Sequence, residues 1–273
     1  VILLDGPMGT LLEHHGVPTP PPRWTASALD THPDAVQAVH RAYADAGAVV
    51  HTAATFRTRP AAVGDDARRL SAVAVALCRQ AVPASHRVAG SVAPVADCYE
   101  PWDSPPDAPE RHARFARLLA DVGVDLLLVE TFAHPGEALA ATEAAVATGL
   151  PVWSALTAGP RAMLLDPAEL AAAARRLADA GAEVVLVNCT RARAMTPYVD
   201  AVAALGIPWG AYANAGPVTD GLQHGTPGAA EAYASLAESW SHHGPSVLGS
   251  CCMTGPEHIR LLDRRFSSNS GKR

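Results

Sequence analysis

Of the five cysteines in the 273-residue chain, three sit where they could share one task. Cys189 follows Asn188, and Cys251 and Cys252 close the run Gly249-Ser250-Cys251-Cys252. Three thiolates can hold a zinc ion and leave a fourth tetrahedral position open. A second account treats all three as small buried hydrophobes, a part that cysteine often plays. The adjacent pair could also form a strained disulfide, which a reducing compartment disfavours. Gly249 tolerates unusual backbone angles and could help turn both sulfurs inward. Cys78 lies in a helical pattern and reads as packing. Cys98 lies in a Pro-rich stretch and is the reserve candidate for a further ligand.

With water in its open position, such a site would be hydrolytic. With a substrate thiol there, the sulfur would lose its proton and stay a nucleophile, ready for an electrophilic alkyl donor. The second chemistry needs a group to orient the thiol substrate. Glu130, after the apolar run 126–129, could bind an ammonium group, and Asp5 could do so from the opposite side. Either carboxylate could instead cap a helix or serve structure alone.

Those residues come together only if the elements that carry them do. The chain alternates short apolar runs with amphipathic stretches. Strand candidates fall at 1–4, Val49-Val50 to about Thr52, 87–92, 124–129, 151–153, 184–187, 208–213 and Val247-Leu248. Helical patterns fall at 33–46, 65–81, 110–122, 136–148, 167–180, 195–205, 227–240 and from Pro256 onward. The passage between the first strand and residue 33 reads as irregular, and 94–109 as a loop. Several helices step onto glycine, at Gly47, Gly123, Gly149, Gly181 and Gly206, where a left-handed turn feeds the next strand.

Eight strand–helix units predict an α/β fold closed as a (β/α)8 TIM barrel. The rival, an open doubly wound sheet, would want G-x-G-x-x-G after the first strand. Asp5-Gly6-Pro7-Met8-Gly9-Thr10 has other spacing, and its proline lacks an amide hydrogen. In a barrel, Asp5, Thr55, Ser91, Glu130, Thr157, Cys189, Asn214 and Cys251-Cys252 all fall near strand ends on one mouth.

Composition narrows the class. Hydrophobic residues make up 49% and charged residues 18%, which excludes a disordered polymer. A formal charge of -6 supplies no general attraction to nucleic acid or anionic lipid. No apolar run reaches membrane-spanning length, and the first residues read as a strand, not an export signal. The expectation is a cytoplasmic enzyme with one barrel domain over 1–266 and a polar tail at 267–273.

In their order along the chain, a set of anchors resembles the homocysteine S-methyltransferase family. They are Asp5-Gly6-Pro7-Met8-Gly9-Thr10, Thr55-Phe56, Ala89-Gly90-Ser91, the segment 123–131, Pro151-Val152-Trp153, Val187-Asn188-Cys189-Thr190, Asn214-Ala215-Gly216, and the Gly249–Cys252 run leading to 254–259. The likeness covers nearly the whole chain and extends to betaine-homocysteine methyltransferase and the homocysteine domain of cobalamin-dependent methionine synthase. It implies Zn2+ held by Cys189, Cys251 and Cys252, with homocysteine sulfur at the fourth position. It implies that Glu130 contacts the substrate amino group and that Asp5 shares the pocket, with Thr55, Ser91 and Asn188 nearby. The implied partners are homocysteine or a related small thiol and a sulfonium donor, S-methylmethionine first and S-adenosylmethionine second, in methionine biosynthesis. A betaine or protein-bound donor, a zinc hydrolase and a non-enzymatic zinc or thiol sensor are the alternatives.

Departures from the family pattern leave the cysteines intact: Ser250 for a frequent glycine, Met253 and Gly255 for the usual Arg and Thr, Ala93 for glycine, and Pro217 for an acidic residue. His258 reads as structural. Trp102 is placed as a possible cover for the pocket from the loop after the third strand.

Overall fold

The computed structural model describes residues 1–266; the expected tail at 267–273 lies outside them. In chain order the main elements are β1 (Ile2–Leu3), α1 (Gly9–His14), α2 (Thr25–Thr31), α3 (Pro33–Asp45), β2 (Val50–Ala53), α4 (Pro60–Val63), α5 (Ala67–Ala81), β3 (Arg87–Val92), α6 (Ala108–Asp121), β4 (Leu126–Phe132), α7 (Pro135–Val146), β5 (Val152–Leu156), α8 (Pro167–Asp179), β6 (Val184–Arg191), α9 (Thr196–Ala203), β7 (Trp209–Asn214), α10 (Ala229–Ser241), β8 (Val247–Ser250) and α11 (Pro256–Phe266). The strands form one eight-stranded parallel sheet, ordered β1-β8-β7-β6-β5-β4-β3-β2. A bridge between Leu4 and Val50 joins the first strand's end to β2 and closes the ring. Among the described residues no helix is long and apolar enough to cross a membrane.

Two apolar layers result. Leu4, Val50, Leu126, Leu128, Trp153, Leu186 and Val247 point into the barrel, while a larger cluster fills the space between sheet and helices. The strands that supply both layers are buried on both faces, so they read as continuous apolar runs. The helices bury one stripe each: in α5 this is Leu70, Ala74 and Cys78, in keeping with a packing role for Cys78. Asp166 caps α8 with a reciprocal box, accepting from the Glu169 amide at 2.8 Å while the Glu169 carboxylate accepts from the Asp166 amide at 2.9 Å. The five glycines expected to follow helices, Gly47, Gly123, Gly149, Gly181 and Gly206, all have positive φ.

The elements differ from the sequence expectation at several points. The passage before residue 33 is not wholly irregular: it holds α1 and α2, each too short to show a helical period. Strands β4, β5 and β6 run three, three and four residues beyond their expected ends, β4 and β6 past the polar residues Glu130 and Asn188. Gly249 is not among the glycines at positive φ. A Cβ there would lie 3.0 Å from the Leu4 Cβ and 3.1 Å from the Asp5 carbonyl oxygen, so its role is the close approach of β8 to β1.

The long connection after β3 is anchored by buried charge. Oε1 of Glu137, in the first turn of α7, accepts from the Val95 amide at 2.7 Å and from His112 Nε2 of α6 at 2.9 Å. Burial alone would raise the Glu137 carboxyl, but the hydrogen bonds from His112, Ser104 and Val95 outweigh it and hold it below its usual range. A depressed carboxylate contributes stability above its unfolded range and loses it as pH falls through the folded value. Glu137→Gln should therefore cost about 1–3 kcal/mol near neutrality. The gap from the unsubstituted protein should shrink in acid, below about pH 4, in urea melts followed by circular dichroism.

Candidate metal centre and its cavity

The three cysteines predicted to cooperate come from two strands that are neighbours only through β7. Cys189 lies near the end of β6, and Cys251 and Cys252 follow β8 directly. Their sulfur atoms all lie within 4.8 Å of one another, and no other cluster of possible ligands this tight occurs among the described residues. Cys189 and Cys251 are in disulfide contact with Cα atoms 5.8 Å apart, and the sulfurs of Cys251 and Cys252 are 3.9 Å apart. Burial, partly offset by a backbone hydrogen bond, pushes the Cys252 thiol up to about 11. A soft cation is what would favour its thiolate there. Three sulfurs, with no fourth donor in the cluster among the described residues, match an open zinc site in ligand type and number.

The backbone is bent to aim these groups. The pairing register shifts between Val129 and Phe132 in β4 and between Asn188 and Arg191 in β6. Within those irregularities Thr131 and Cys189 both take positive φ, 67° and 45°, which non-glycine residues avoid. Local hydrogen bonds hold the distortion: Asn188 Nδ2 donates to Thr131 Oγ1 at 2.8 Å, Thr131 Oγ1 donates toward Cys189 Sγ at 3.9 Å, and Asn214 Nδ2 donates to the Cys189 carbonyl at 2.7 Å. Strained residues persist where surroundings over-determine them, and such places are often functional.

Beside the sulfurs lies a cavity of about 550 Å³, within the range of small-molecule sites. Asp5, Ser91 and Glu130 line it, as do all three cysteines. Glu130 Oε1 accepts from Ser91 Oγ at 2.5 Å and Oε2 from the Tyr212 hydroxyl at 2.9 Å. Asp5 is held by the amide and hydroxyl of Thr52 at 2.8 and 3.0 Å. Burial raises Asp5 well above the usual carboxylate range despite those bonds, and the nearby Glu130 adds to the effect. Burial likewise raises Glu130 against its two hydroxyl donors. Two buried acids facing one space, neither ion-paired to a cationic side chain among the described residues, make a receptor for an ammonium group.

Other candidates have different positions. Thr55 is fully buried off the cavity, its hydroxyl accepting from the Ser91 amide and donating to the Ser91 carbonyl, so it positions Ser91. Asn188 also lies behind the cavity wall. The Thr157 hydroxyl accepts from the Gly159 amide and is buried off the cavity. His258 is buried between the Gly255 amide and the Leu222 carbonyl, a structural place. Cys98 does line the cavity but stands outside the sulfur trio. Trp102 is 71% exposed and does not line the cavity. The aromatic wall is Trp24 with Phe56, edge to face at 5.9 Å. Trp24 and Tyr212 escaped the sequence reading because nothing local marks them: Trp24 is placed by α1, whose Gly9 leaves room for its ring, and Tyr212 by the inward face of β7.

Residues 2–266 match the family model described as homocysteine S-methyltransferase. The chain is 29% identical to the homocysteine S-methyltransferase of Escherichia coli (strain K12), over 97% of this chain and 95% of that one. It is 31% identical to betaine–homocysteine S-methyltransferase 1 of Bos taurus over 69% of this chain and 48% of that one, so the match spans about half of the bovine protein. The crystal structure of the metallated Escherichia coli homocysteine methyltransferase superposes with a TM-score of 0.77 at 24% identity, covering 97% of this chain and 96% of that one. An oxidized form of the same protein gives the same TM-score.

The donor set predicts that reduced protein takes up roughly one equivalent of zinc. Single replacements Cys189→Ala, Cys251→Ala and Cys252→Ala should abolish tight uptake while leaving the circular dichroism spectrum intact, and Cys98→Ala should retain it. Elemental analysis after gel filtration gives the readout.

Proposed function

The chain belongs to the homocysteine S-methyltransferase family, and we propose that it transfers a methyl group from a sulfonium donor to the thiolate of homocysteine. The observation that carries this reading is the meeting of Cys189, Cys251 and Cys252 beside a cavity floored by Asp5 and Glu130. Zinc held by the three thiolates would keep the homocysteine sulfur ionised at neutral pH.

The chain's own groups do the rest. Glu130 and Asp5 receive the homocysteine ammonium, whose positive charge favours their ionised forms against the burial that raises both. Ser91 and Tyr212 hold the two Glu130 oxygens by donating to them, and Thr52 holds Asp5. The acceptor is thereby fixed at its amino end, with its sulfur against the cysteines. The apolar walls exclude water, which would otherwise solvate the thiolate. The new bond joins the acceptor sulfur to the methyl carbon as the bond from that carbon to the donor sulfur breaks, and the donor sulfur keeps the electron pair. From S-methylmethionine both products are methionine. Alignment of sulfur, carbon and leaving sulfur supplies the rate advantage. S-methylmethionine is the first donor to test, and S-adenosylmethionine the second.

Three free thiols are required, so the working environment is a reducing one, and we assign the protein to the cytoplasm. The barrel over 1–266 acts as one domain, since the floor and the sulfurs draw on strands from both ends of the chain.

Reduced, zinc-loaded protein should convert homocysteine to methionine with S-methylmethionine, followed by product mass. Chelation should lower the rate at pH 7 by at least about 30-fold, the factor by which a free thiol is under-ionised there. Zinc should restore it. Sustained turnover in verified metal-free protein would overturn the mechanism. Glu130→Gln should raise KM for homocysteine about 10- to 100-fold while zinc content stays unchanged.

A further inference from the structure

The acceptor reading leaves one charged group of the cavity unexplained. Arg57 is the only cationic side chain among the described residues that line it, against Asp5, Asp97 and Glu130. It stands half-buried in the connection after β2, its guanidinium carbon 5.4 Å from the centroid of the Phe56 ring. Among the described residues no carboxylate lies within ion-pairing distance of it, although Asp97 lines the same cavity. Arg23, Arg68, Arg69, Arg79, Arg111 and Arg191 all have such partners.

The setting of Arg57 is built. Two residues on, Arg59 is buried, and its three nitrogens donate to the carbonyls of Phe56, Val95 and Ala96. Arg59 thus clamps the connection that carries Arg57 to the one that carries Asp97, Cys98 and Tyr99. Burial brings Arg59 down to about 10, with the nearby Arg57 charge as the next cause. Two guanidinium groups are thus held close, one of them satisfied by carbonyls and the other facing the cavity with no ion-pair partner among the described residues.

We propose that Arg57 binds the carboxylate of the methyl donor and so makes the enzyme specific for zwitterionic donors. This rests on the methyl-transfer reading above. The acceptor's ammonium goes to Asp5 and Glu130, among the inward-facing strand residues. Arg57 lies with Phe56 and Trp24 along the loop-built wall of the cavity, apart from the two acids on the strand ends. A donor with an onium methyl at one end and a carboxylate at the other fits this polarity: its carboxylate meets Arg57, and its cationic end is driven away from that guanidinium, toward the acids and the sulfurs. Stacking on Phe56 restricts the planar fork in advance, which favours two parallel N–H···O bonds to a carboxylate.

The test compares S-methylmethionine with its carboxamide, which keeps the sulfonium and removes the anion. Calorimetric titration of reduced, zinc-loaded protein, with methionine present to fill the acceptor site, gives both affinities. The unsubstituted protein should bind the acid about 10- to 100-fold more tightly than the amide, as expected for a charge-assisted pair. Arg57→Gln should close that gap by weakening the acid alone, and Arg57→Lys should restore part of it. No preference in the unsubstituted protein, a preference that survives in Arg57→Gln, equal weakening of both ligands, or binding of neither would each overturn the proposal. Turnover with homocysteine is measured in parallel. Methyl transfer without an acid–amide gap removes the role of Arg57 and keeps the reaction, whereas an acid–amide gap without transfer removes the reaction and keeps the carboxylate site.

Discussion

Closure of the sheet between Leu4 and Val50 is the constraint on which the chemistry depends. An open parallel sheet would leave β1 and β2 at a distance, and Asp5 would lose its tie to Thr52. In the ring, the carboxyl ends of all eight strands share one rim. The sulfurs of β6 and of the turn after β8 can then meet, although 62 residues separate Cys189 from Cys251. Gly249 belongs to the same constraint, because a side chain there would press on Leu4 and the Asp5 carbonyl and push β8 from β1.

The rim is also where the regular sheet gives way. Thr131 and Cys189 adopt backbone angles that cost of order 1–3 kcal/mol each, at the two places where the strand register slips. Asn188, Thr131 and Asn214 bind those bends together. Asn188 and Asn214 stand behind the cavity wall and Thr131 lines it, and together they hold Cys189 where its neighbours across β7 can reach it. The cavity repeats this division: Thr52, Thr55, Ser91 and Tyr212 orient, while the carboxylates and sulfurs present charge and donors. Two buried acids would be a liability in a closed core. Beside an open cavity they become a preference for cations, and Arg57 sets the opposite preference on the loop-built wall.

Much of this was legible along the chain. Strand β3 fell at its expected residues, and the amphipathic stretches marked α3, α5 and α8 to within two or three residues, because burial of one helical face imposes a period that survives without knowledge of the neighbours. The ends of β4 and β6 were harder: polar residues such as Glu130 and Asn188 interrupt the apolar run, yet the backbone pairing continues past them. Helices α1 and α2 were missed because seven residues or fewer do not display a period. Thr55 looked like a contact residue from its place after a strand; only the direction of its hydroxyl, into the Ser91 backbone, made it a support. Trp102 lies off the cavity and Trp24 lines it for a similar reason, since a ring's place relative to a cavity depends on the path of the loop that carries it.

The linear order of residue types determined the α/β class, the eightfold alternation and the identity of the three sulfur residues, since hydrophobic period and side-chain chemistry are local properties. Tertiary structure decided which sulfurs meet, that Glu130 rests on Ser91 and Tyr212, and that Arg57 faces a cavity without a carboxylate partner. Those are distances between strands and loops remote in sequence, and they exist only once the ring closes and the connections pack across its mouth.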